Sequence, residues 1–444
     1  MAVVVAAVAS ALAVSAAPSV SGAAVAGSSV RITASGDFGA TSNTAAVLDG
    51  IAAATPDLHL ALGDLSYGAT GAEQAWCDFV MSRVGAGFAF QLLAGNHESN
   101  GANGDINDFT ACLPNRLPGL VGTYGRQWYV DVPRDEPAVR LVMISPALSF
   151  PDGTWDYQAG SARYAWTASA IDSARAAGVP WVIVGMHKPC LSMGQYACDP
   201  GADLMNLLVS KRVDLVLSGH EHLYQRTKQL AHGPGCTAIT PSAFTAACVA
   251  DADQALAQGA GTVFVTIGTG GVELRVVNLS DSEAAYHAAW SGLNSNPTWG
   301  SLTVTADDQQ LSASFTRAAG GTFADNFTIS QAARNQSPVA STGAPWCANL
   351  ACSFDGSGSS DSDGAIASYA WNFGDGTTGS GATRSHVYTA AGTYTVTLTV
   401  IDDDNATDVE SRSVTVSAPP VGLFVILDTV PRWISTSAPM LRHD

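Results

Sequence analysis

The stretch "LHLALGDLSYGATG", residues 58–71, joins a continuous apolar run to a polar loop. The run ends at Gly63 and Asp64, and a tyrosine, Tyr67, follows three residues later. An apolar run without alternation predicts a strand buried on both faces, as in a sheet covered by helices. An aspartate at a strand end is ordinary turn chemistry when taken alone. The meaning of Asp64 and Tyr67 therefore depends on which other segments lie beside them.

Similar apolar runs recur up to about residue 271. They are "VRITASGD", "FQLLAGNHE", "VRLVMIS", "PWVIVGMH", "VDLVLSGHEH" and "TVFVTIGTGG". Helix-like segments at 41–54, 166–178 and 203–212 lie between them, so the pattern predicts an α/β fold. In such folds, sites form beyond the carboxyl ends of the strands. The polar residues at those ends are Asp37, Asp64, Asn96, His97, His187, His220 and His222.

Each of these residues has a plain structural explanation by itself. His187 could be a core histidine, and the pair His220 and His222 fits a mononuclear zinc site about as well as a larger one. At positions i and i+2 of an extended segment, the two side chains point to the same side. Taken together, two carboxylates, one amide, three imidazoles and the phenol of Tyr67 are too many ligands for one tetrahedral zinc. The set favours two metal ions that share a bridging carboxylate.

The series "GDFG", "GDLSY", "GNHE", "VGMH" and "GHEH" resembles the calcineurin-like metallophosphoesterase superfamily. With Tyr67 in place, the chain resembles the purple acid phosphatases within it, over roughly residues 28–330. The resemblance implies a β-sandwich flanked by helices, an αββα fold. It also implies a dinuclear centre with Fe(3+) and a divalent ion, which could be iron, zinc or manganese.

The resemblance assigns ligands by position. The ferric site would consist of Asp37, Asp64, Tyr67 and His222. The divalent site would consist of Asp64, Asn96, His187 and His220, so that Asp64 bridges the two ions.

The neighbouring residues have roles beside the metals. His97 would contact the phosphate or protonate the leaving group. Glu98 either orients His97 or is only a helix N-terminal residue. The segment 188–201 lacks the histidines that large plant members carry after the position of His187, which leaves its substrate contacts open.

We therefore expect phosphate ester hydrolysis, most simply of monoesters, with a metal-bound hydroxide as nucleophile. One alternative is a secreted phosphodiesterase or nucleotidase with a non-ferric metal pair. Another is a non-catalytic adhesin with an inert phosphatase-like domain. A mononuclear hydrolase of the metallo-β-lactamase type is disfavoured, because no Asp-His pair follows His222 closely.

The remainder of the chain predicts a second, smaller domain. Residues 300–330 alternate like an antiparallel hairpin and complete the catalytic domain at 28–332. A linker at 333–340 is expected to lead into a β-sandwich at 341–418, whose last strand would be 393–402. This module resembles an Ig-like PKD domain, which implies a spacer or a contact with a polysaccharide or protein. Residues 419–444 are left unassigned.

Composition and cysteine usage indicate an exported protein. Residues 1–27 resemble a signal peptide, although no basic residue precedes Arg31, and the apolar part is too short for a membrane span. The formal net charge of −18 argues against a nucleic-acid backbone partner. The eight cysteines indicate disulfides. Nearest-neighbour pairing would join Cys77–Cys112, Cys190–Cys198, Cys236–Cys248 and Cys347–Cys352.

Overall fold

The computed structural model describes residues 29–331 and 335–419. The chain divides into two compact units, residues 1–332 and 333–444. The expected signal peptide and almost all of the unassigned tail lie outside the described residues. Residues 332–334, at the start of the expected linker, also lie outside them. No helix within the described ranges is long and apolar enough to cross a membrane.

The first unit contains most of the regular structure. In chain order its strands begin with β1 (Val30–Ser35), β2 (Leu58–Ala61), β3 (Phe90–Leu92), β4 (Val121–Thr123), β5 (Gln127–Val132), β6 (Val139–Met143), β7 (Ser149–Phe150), β8 (Gly153–Thr154), β9 (Trp181–Gly185) and β10 (Leu215–Ser218). They continue with β11 (Tyr224–Thr227), β12 (Gln229–Leu230), β13 (Val249–Asp251), β14 (Ala255–Ala257), β15 (Val263–Ile267), β16 (His287–Ser291), β17 (Thr298–Ala306), β18 (Gln310–Gly320) and β19 (Asn326–Ser330).

Its helices lie between these strands. They are α1 (Ser42–Ala54), α2 (Glu73–Val84), α3 (Asn96–Ser99), α4 (Ile106–Cys112), α5 (Ala162–Ala176) and α6 (Ala202–Ser210), with short 3-10 helices at Ala246–Cys248 and Ala284–Tyr286.

Two mixed sheets form the centre of this unit. One has the strand order β14-β19-β18-β17-β1-β2-β3, and the other has the order β16-β11-β15-β10-β9-β6-β5-β4. Strands β1, β2 and β3 run parallel in the first sheet. Strands β6, β9, β10 and β15 run parallel in the second. The carboxyl ends of each parallel set therefore lie at one edge of its sheet.

Alternate residues of the central strands face different layers. On β9, Trp181 and Ile183 belong to an apolar core formed by strand residues of both sheets. Val182 and Val184 belong to a second core that also contains helix residues such as Ile171 of α5. A strand with apolar side chains on both faces is the continuous run that the sequence displays. The predicted αββα arrangement is confirmed.

All seven predicted strand runs and all three predicted helices are present. Helix α1 begins at a capping box, since the Thr41 hydroxyl accepts from the backbone N–H of Thr44 at 3.1 Å. Helix α2 was not predicted, and its N-cap residue, Ala72, makes no side-chain cap. The expected hairpin at 300–330 is instead a three-stranded antiparallel meander of β17, β18 and β19.

The four expected disulfides are all formed. They join Cys77–Cys112, Cys190–Cys198, Cys236–Cys248 and Cys347–Cys352. All eight cysteines are thus paired, as in proteins of oxidising compartments.

The second unit is a small sandwich of two antiparallel sheets. Its strands are β20 (Trp346–Ala348), β21 (Ala351–Asp355), β22 (Ile366–Asn372), β23 (Thr378–Ser380), β24 (Thr383–Val387), β25 (Gly392–Asp402) and β26 (Thr407–Val416). The sheet orders are β20-β21-β24 and β23-β22-β25-β26. Buried side chains of both sheets, including Phe354 and Trp371, form one core.

Strand β25 is not the last strand of the second unit. The prediction that 393–402 closes the module was wrong, because β26 pairs with β25 along its whole length. The β26 sequence is mostly polar, and only Val414 and Val416 are buried on it. An edge strand with so few apolar residues gives a weak sequence signal. Residues 335–340, placed in the expected linker, hydrogen-bond to this unit through Val339 and Ala340.

Candidate metal centre

The predicted residues meet where strands of both sheets end. Asp37 follows β1, Asp64 follows β2, and Asn96 lies just after β3 in the first sheet. His187 and His220 follow β9 and β10 in the second sheet. Asp37, Asp64 and His220 have left-handed backbones, with φ of 63°, 52° and 67°. Such strained conformations of non-glycine residues cluster at functional sites.

Glycines beside these residues create the room that they occupy. A Cβ on Gly95 would overlap the carboxylate of Asp64. A Cβ on Gly219 would lie 2.7 Å from Oδ2 of Asp37. The repeated pairing of a glycine with a polar residue in the motifs therefore reflects close packing of the polar side chains around a common point.

One half of the centre surrounds the Tyr67 hydroxyl. Its oxygen lies 3.1 Å from Oδ1 of Asp37, 3.1 Å from Oδ2 of Asp64 and 3.0 Å from Nε2 of His222. His222 Nε2 is 3.6 Å from Asp37 Oδ1. These four side chains are the set expected to hold the ferric ion.

The other half surrounds the Nε2 atom of His187. This atom lies 3.1 Å from Oδ1 of Asn96, 3.2 Å from Oδ1 of Asp64 and 3.2 Å from Nδ1 of His220. Candidate ligand atoms of Asp64, His187 and His220 all lie within 4.8 Å of one another. The two oxygens of Asp64 thus face different halves, as a bridging carboxylate must.

Backbone carbonyl groups hold His222 and His187 by their Nδ1 atoms, so that Nε2 of each ring faces the centre. His222 Nδ1 donates to the backbone oxygen of Glu273 at 3.0 Å, and His187 Nδ1 donates to that of Leu62 at 2.8 Å. Because a neutral imidazole has one N–H, the Nε2 atom of neutral His222 carries a lone pair that faces the centre, and Nε2 of His187 would do the same once a metal has displaced its proton. Metal-binding histidines are held in this way by backbone carbonyls. Two donors at right angles around an ion at 2.0–2.1 Å lie about 2.9 Å apart, close to the spacing seen, so the residues fit a metal pair.

The ionisation of the centre also calls for positive charge. Burial raises the pKa of Asp37 to about 7, and the nearby Asp64 adds to the rise. Burial lowers the pKa of His187, but Asp64 and Asp37 outweigh it and raise it to about 9. Burial and the same two carboxylates hold the pKa of the Tyr67 phenol far above its usual value. A phenolate at this position therefore needs a strongly charged cation among the three oxygens.

Two protein-family models match parts of the chain. The calcineurin-like phosphoesterase family model matches residues 30–224, and the PKD domain model matches residues 335–417. Residues 30–224 therefore form a calcineurin-like phosphoesterase domain, and residues 335–417 form a PKD domain.

The relatives are distant. Purple acid phosphatase 18 of Arabidopsis thaliana is 25% identical over 211 residues, which is 46% of each chain. Purple acid phosphatase 23 of the same plant is 23% identical over 291 residues, 59% of this chain and 57% of that one. A purple acid phosphatase from yellow lupin (Lupinus luteus) seeds shares the fold with a TM-score of 0.51 and 18% identity, covering 69% of this chain and 55% of its own. The chain spans about half the length of the Arabidopsis relatives that it matches.

In this phosphoesterase domain, His97 lies at the rim of the centre. Its Nε2 is 3.6 Å from Oδ2 of Asp64, and its side chain is 31% exposed. Its Nδ1 donates to Oδ1 of Asn103, whose Nδ2 donates to the backbone oxygens of Tyr67 and Gly68 at 3.2 and 2.9 Å. Since both amide hydrogens are used, only Oδ1 remains for His97. The Nε2 atom therefore faces the centre, and the sequence analysis missed Asn103.

Glu98 does not contact His97. Its carboxylate accepts from the backbone N–H groups of Asp64 at 3.1 Å and Gly95 at 2.9 Å, and also from Leu65. The prediction that Glu98 orients His97 was therefore wrong. Glu98 instead joins the start of α3 to the loop that carries Asp64.

Glu221 of the "GHEH" motif supports the segment 188–201, which lacks histidine. It accepts from the backbone N–H of Gln195 at 2.7 Å and of Tyr196 at 2.6 Å. The Tyr196 ring stacks on His220 with centroids 4.2 Å apart. The guanidinium of Arg275 lies over the Tyr196 ring, 4.9 Å from the ring centroid. Neither Tyr196 nor Arg275 was predicted from the sequence, because each contacts a residue that is distant in the chain: Tyr196 contacts His220, and Arg275 contacts Tyr196.

Proposed function

We propose that the chain hydrolyses phosphate monoesters at a dinuclear metal centre that contains Fe(3+) and a divalent ion. The observation that supports this proposal is that candidate ligand atoms form two clusters, one around the Tyr67 hydroxyl and one around Nε2 of His187, and that Asp64 contributes one oxygen to each. Asp37, Asp64, Tyr67 and His222 would hold the ferric ion. Asp64, Asn96, His187 and His220 would hold the divalent ion, which could be iron, zinc or manganese.

When bound, such a metal pair neutralises phosphate oxygens and lowers the pKa of a coordinated water. Burial lowers the pKa of His220 to about 2 and of His222 to about 4, so these two imidazoles are neutral ligands. His187, whose pKa the carboxylates raise to about 9, would have to give up its proton when a metal binds. The local positive charge also offsets the formal net charge of −18, which otherwise repels an anionic substrate.

His97 is proposed to move the proton that the leaving group needs. A water molecule that has released one proton to solvent forms an O–P bond while the ester P–O bond breaks. The departing alkoxide takes the proton from Nε2 of the protonated His97 ring, and solvent then returns a proton to His97. The products are inorganic phosphate and an alcohol. The hydrogen bond to Asn103 fixes which ring nitrogen performs this transfer.

The proposal is tested by the visible spectrum together with an aryl phosphate assay. The purified protein should hydrolyse p-nitrophenyl phosphate and absorb visible light, because a phenolate bound to ferric iron has a charge-transfer band. Tyr67→Phe should bleach this band, whereas the matched change Tyr164→Phe on α5 should not. An active, colourless protein that Tyr67→Phe leaves unchanged would favour the alternative of a diesterase or nucleotidase with a non-ferric pair.

We further propose that the chain acts outside the cell, with residues 1–27 as its signal peptide. Four disulfides without a free cysteine support this location. The PKD domain would serve as a spacer or contact a polysaccharide or protein surface. Trp346 on β20 is 71% exposed and offers an aromatic face for such a contact.

A further inference from the structure

A groove of about 640 Å³ opens directly beside the metal centre. Tyr67 and His222 line its inner end. Val272, Val276 and Leu293 are among its other lining residues. The groove is therefore continuous with the point where a phosphate ester would be bound.

The part of the groove wall formed by Val276 and Leu293 is apolar and open to solvent. Val276 is 54% exposed and Leu293 is 51% exposed. Exposed aliphatic side chains gathered in one concave surface, next to a catalytic-type centre, are typical of ligand sites. An apolar ligand would gain by covering them.

The wall is held in place by hydrogen bonds. The Leu293 N–H donates to the backbone oxygen of Arg275 at 2.8 Å. Asn294 accepts from the Val277 N–H at 2.8 Å and donates to the Val277 oxygen at 3.0 Å. The two segments that carry Val276 and Leu293 are thus joined, and the groove is formed before any ligand arrives.

The charges of the groove disfavour a leaving group that carries further phosphates. Glu273 is an exposed carboxylate in the lining. Arg275 is the one cation among the described lining residues, and its guanidinium already donates to the His220 oxygen at 3.1 Å and lies 3.7 Å from Glu221. A polyanionic leaving group would meet Glu273 without a free cation to pair with.

We propose that this groove binds the apolar or aromatic alcohol portion of a phosphate monoester, with the phosphate at the metal centre. The inference rests on the proposed function and names its substrate class. Esters of bulky uncharged alcohols should be preferred to esters of small polar alcohols and to nucleotides.

The test compares two exposed leucines. Leu293→Asp alters the groove, and Leu279→Asp is the matched control, since Leu279 is 56% exposed and does not line the groove. For 2-naphthyl phosphate, Leu293→Asp should raise KM roughly tenfold with little change in kcat. Kinetics with glycerol 2-phosphate should be unchanged in both variants. Leu293→Ala should give a smaller rise in KM, which separates loss of apolar contact from added charge.

A binding measurement distinguishes the two levels of the proposal. Titration calorimetry with 2-naphthol should show that wild type and Leu279→Asp bind and that Leu293→Asp binds about tenfold more weakly. Equal binding by all three proteins, or equal KM changes in the two aspartate variants, would overturn the groove assignment. Naphthol binding that depends on Leu293, without hydrolysis of either ester by wild type, would refute the proposed function and leave the groove assignment standing.

Discussion

Asp64→Ala is expected to lower kcat/KM for p-nitrophenyl phosphate by at least about 10³-fold, because metal ions contribute several kcal/mol to transition-state stabilisation. Asp64 is the only side chain whose two oxygens face both halves of the centre among the described residues. Its removal should therefore disturb both ion sites together. The assay is steady-state hydrolysis at saturating and limiting substrate.

The matched control is Asp49→Ala. Asp49 is 55% exposed and pairs with Arg83 at 3.0 Å, away from the predicted ligands. Exposed pairs contribute little to stability, so this variant should retain wild-type activity and unfolding temperature. Asp64→Ala removes the partner of His187 and the acceptor of the His97 backbone N–H at a left-handed backbone position, so we expect some loss of stability. Circular dichroism therefore has to show a folded variant before its activity is compared. Wild-type turnover by folded Asp64→Ala protein would show that the centre is not catalytic and would favour the inert-domain alternative.

His97→Gln should slow hydrolysis in a manner that depends on the leaving group. For alkyl phosphates, kcat should fall by about 10² to 10⁴, the usual contribution of general acid–base catalysis. For p-nitrophenyl phosphate the loss should be far smaller, because nitrophenolate departs without a proton. The measurement is kcat across a series of esters with graded leaving-group acidity.

Asn103 provides the matched pair for this prediction. Asn103→Leu removes the acceptor for His97 Nδ1 and should reproduce the leaving-group dependence of His97→Gln. Asn103→Asp keeps that acceptor but loses the donors to the Tyr67 and Gly68 oxygens, and it should keep the wild-type dependence. If both Asn103 variants lose activity equally with all esters, the residue supports the loop and does not position His97.

The sequence was sufficient to predict the seven buried strands that lead to the centre and the residues at their ends. Runs such as 180–187 and 213–222 are apolar on both faces, and parallel strands bring their carboxyl ends to one edge whatever lies between them. For that reason Asp37, Asp64 and His187 could be expected to meet although they are far apart in the chain. In the structure Asp64 lies 3.2 Å from His187, and Asp37 and Asp64 both contact the Tyr67 hydroxyl.

Other features depend on contacts that no local pattern reveals. Asn103 reaches His97 through a loop without periodicity, and Tyr196 stacks on His220 because Glu221 holds the backbone of its loop. Helix α2 has no capping side chain, so its start gave no signal. Such side chains are chosen by tertiary packing, and three-dimensional coordinates are needed to identify them.

Two metal ions held by seven side chains are the central feature of the proposed centre, and elemental analysis of the purified, active protein tests their presence directly. We predict two ions per chain, one of them iron, and fewer than one per chain in Asp64→Ala. A fully active wild-type protein with no metal, or with a single ion per chain, would contradict the account.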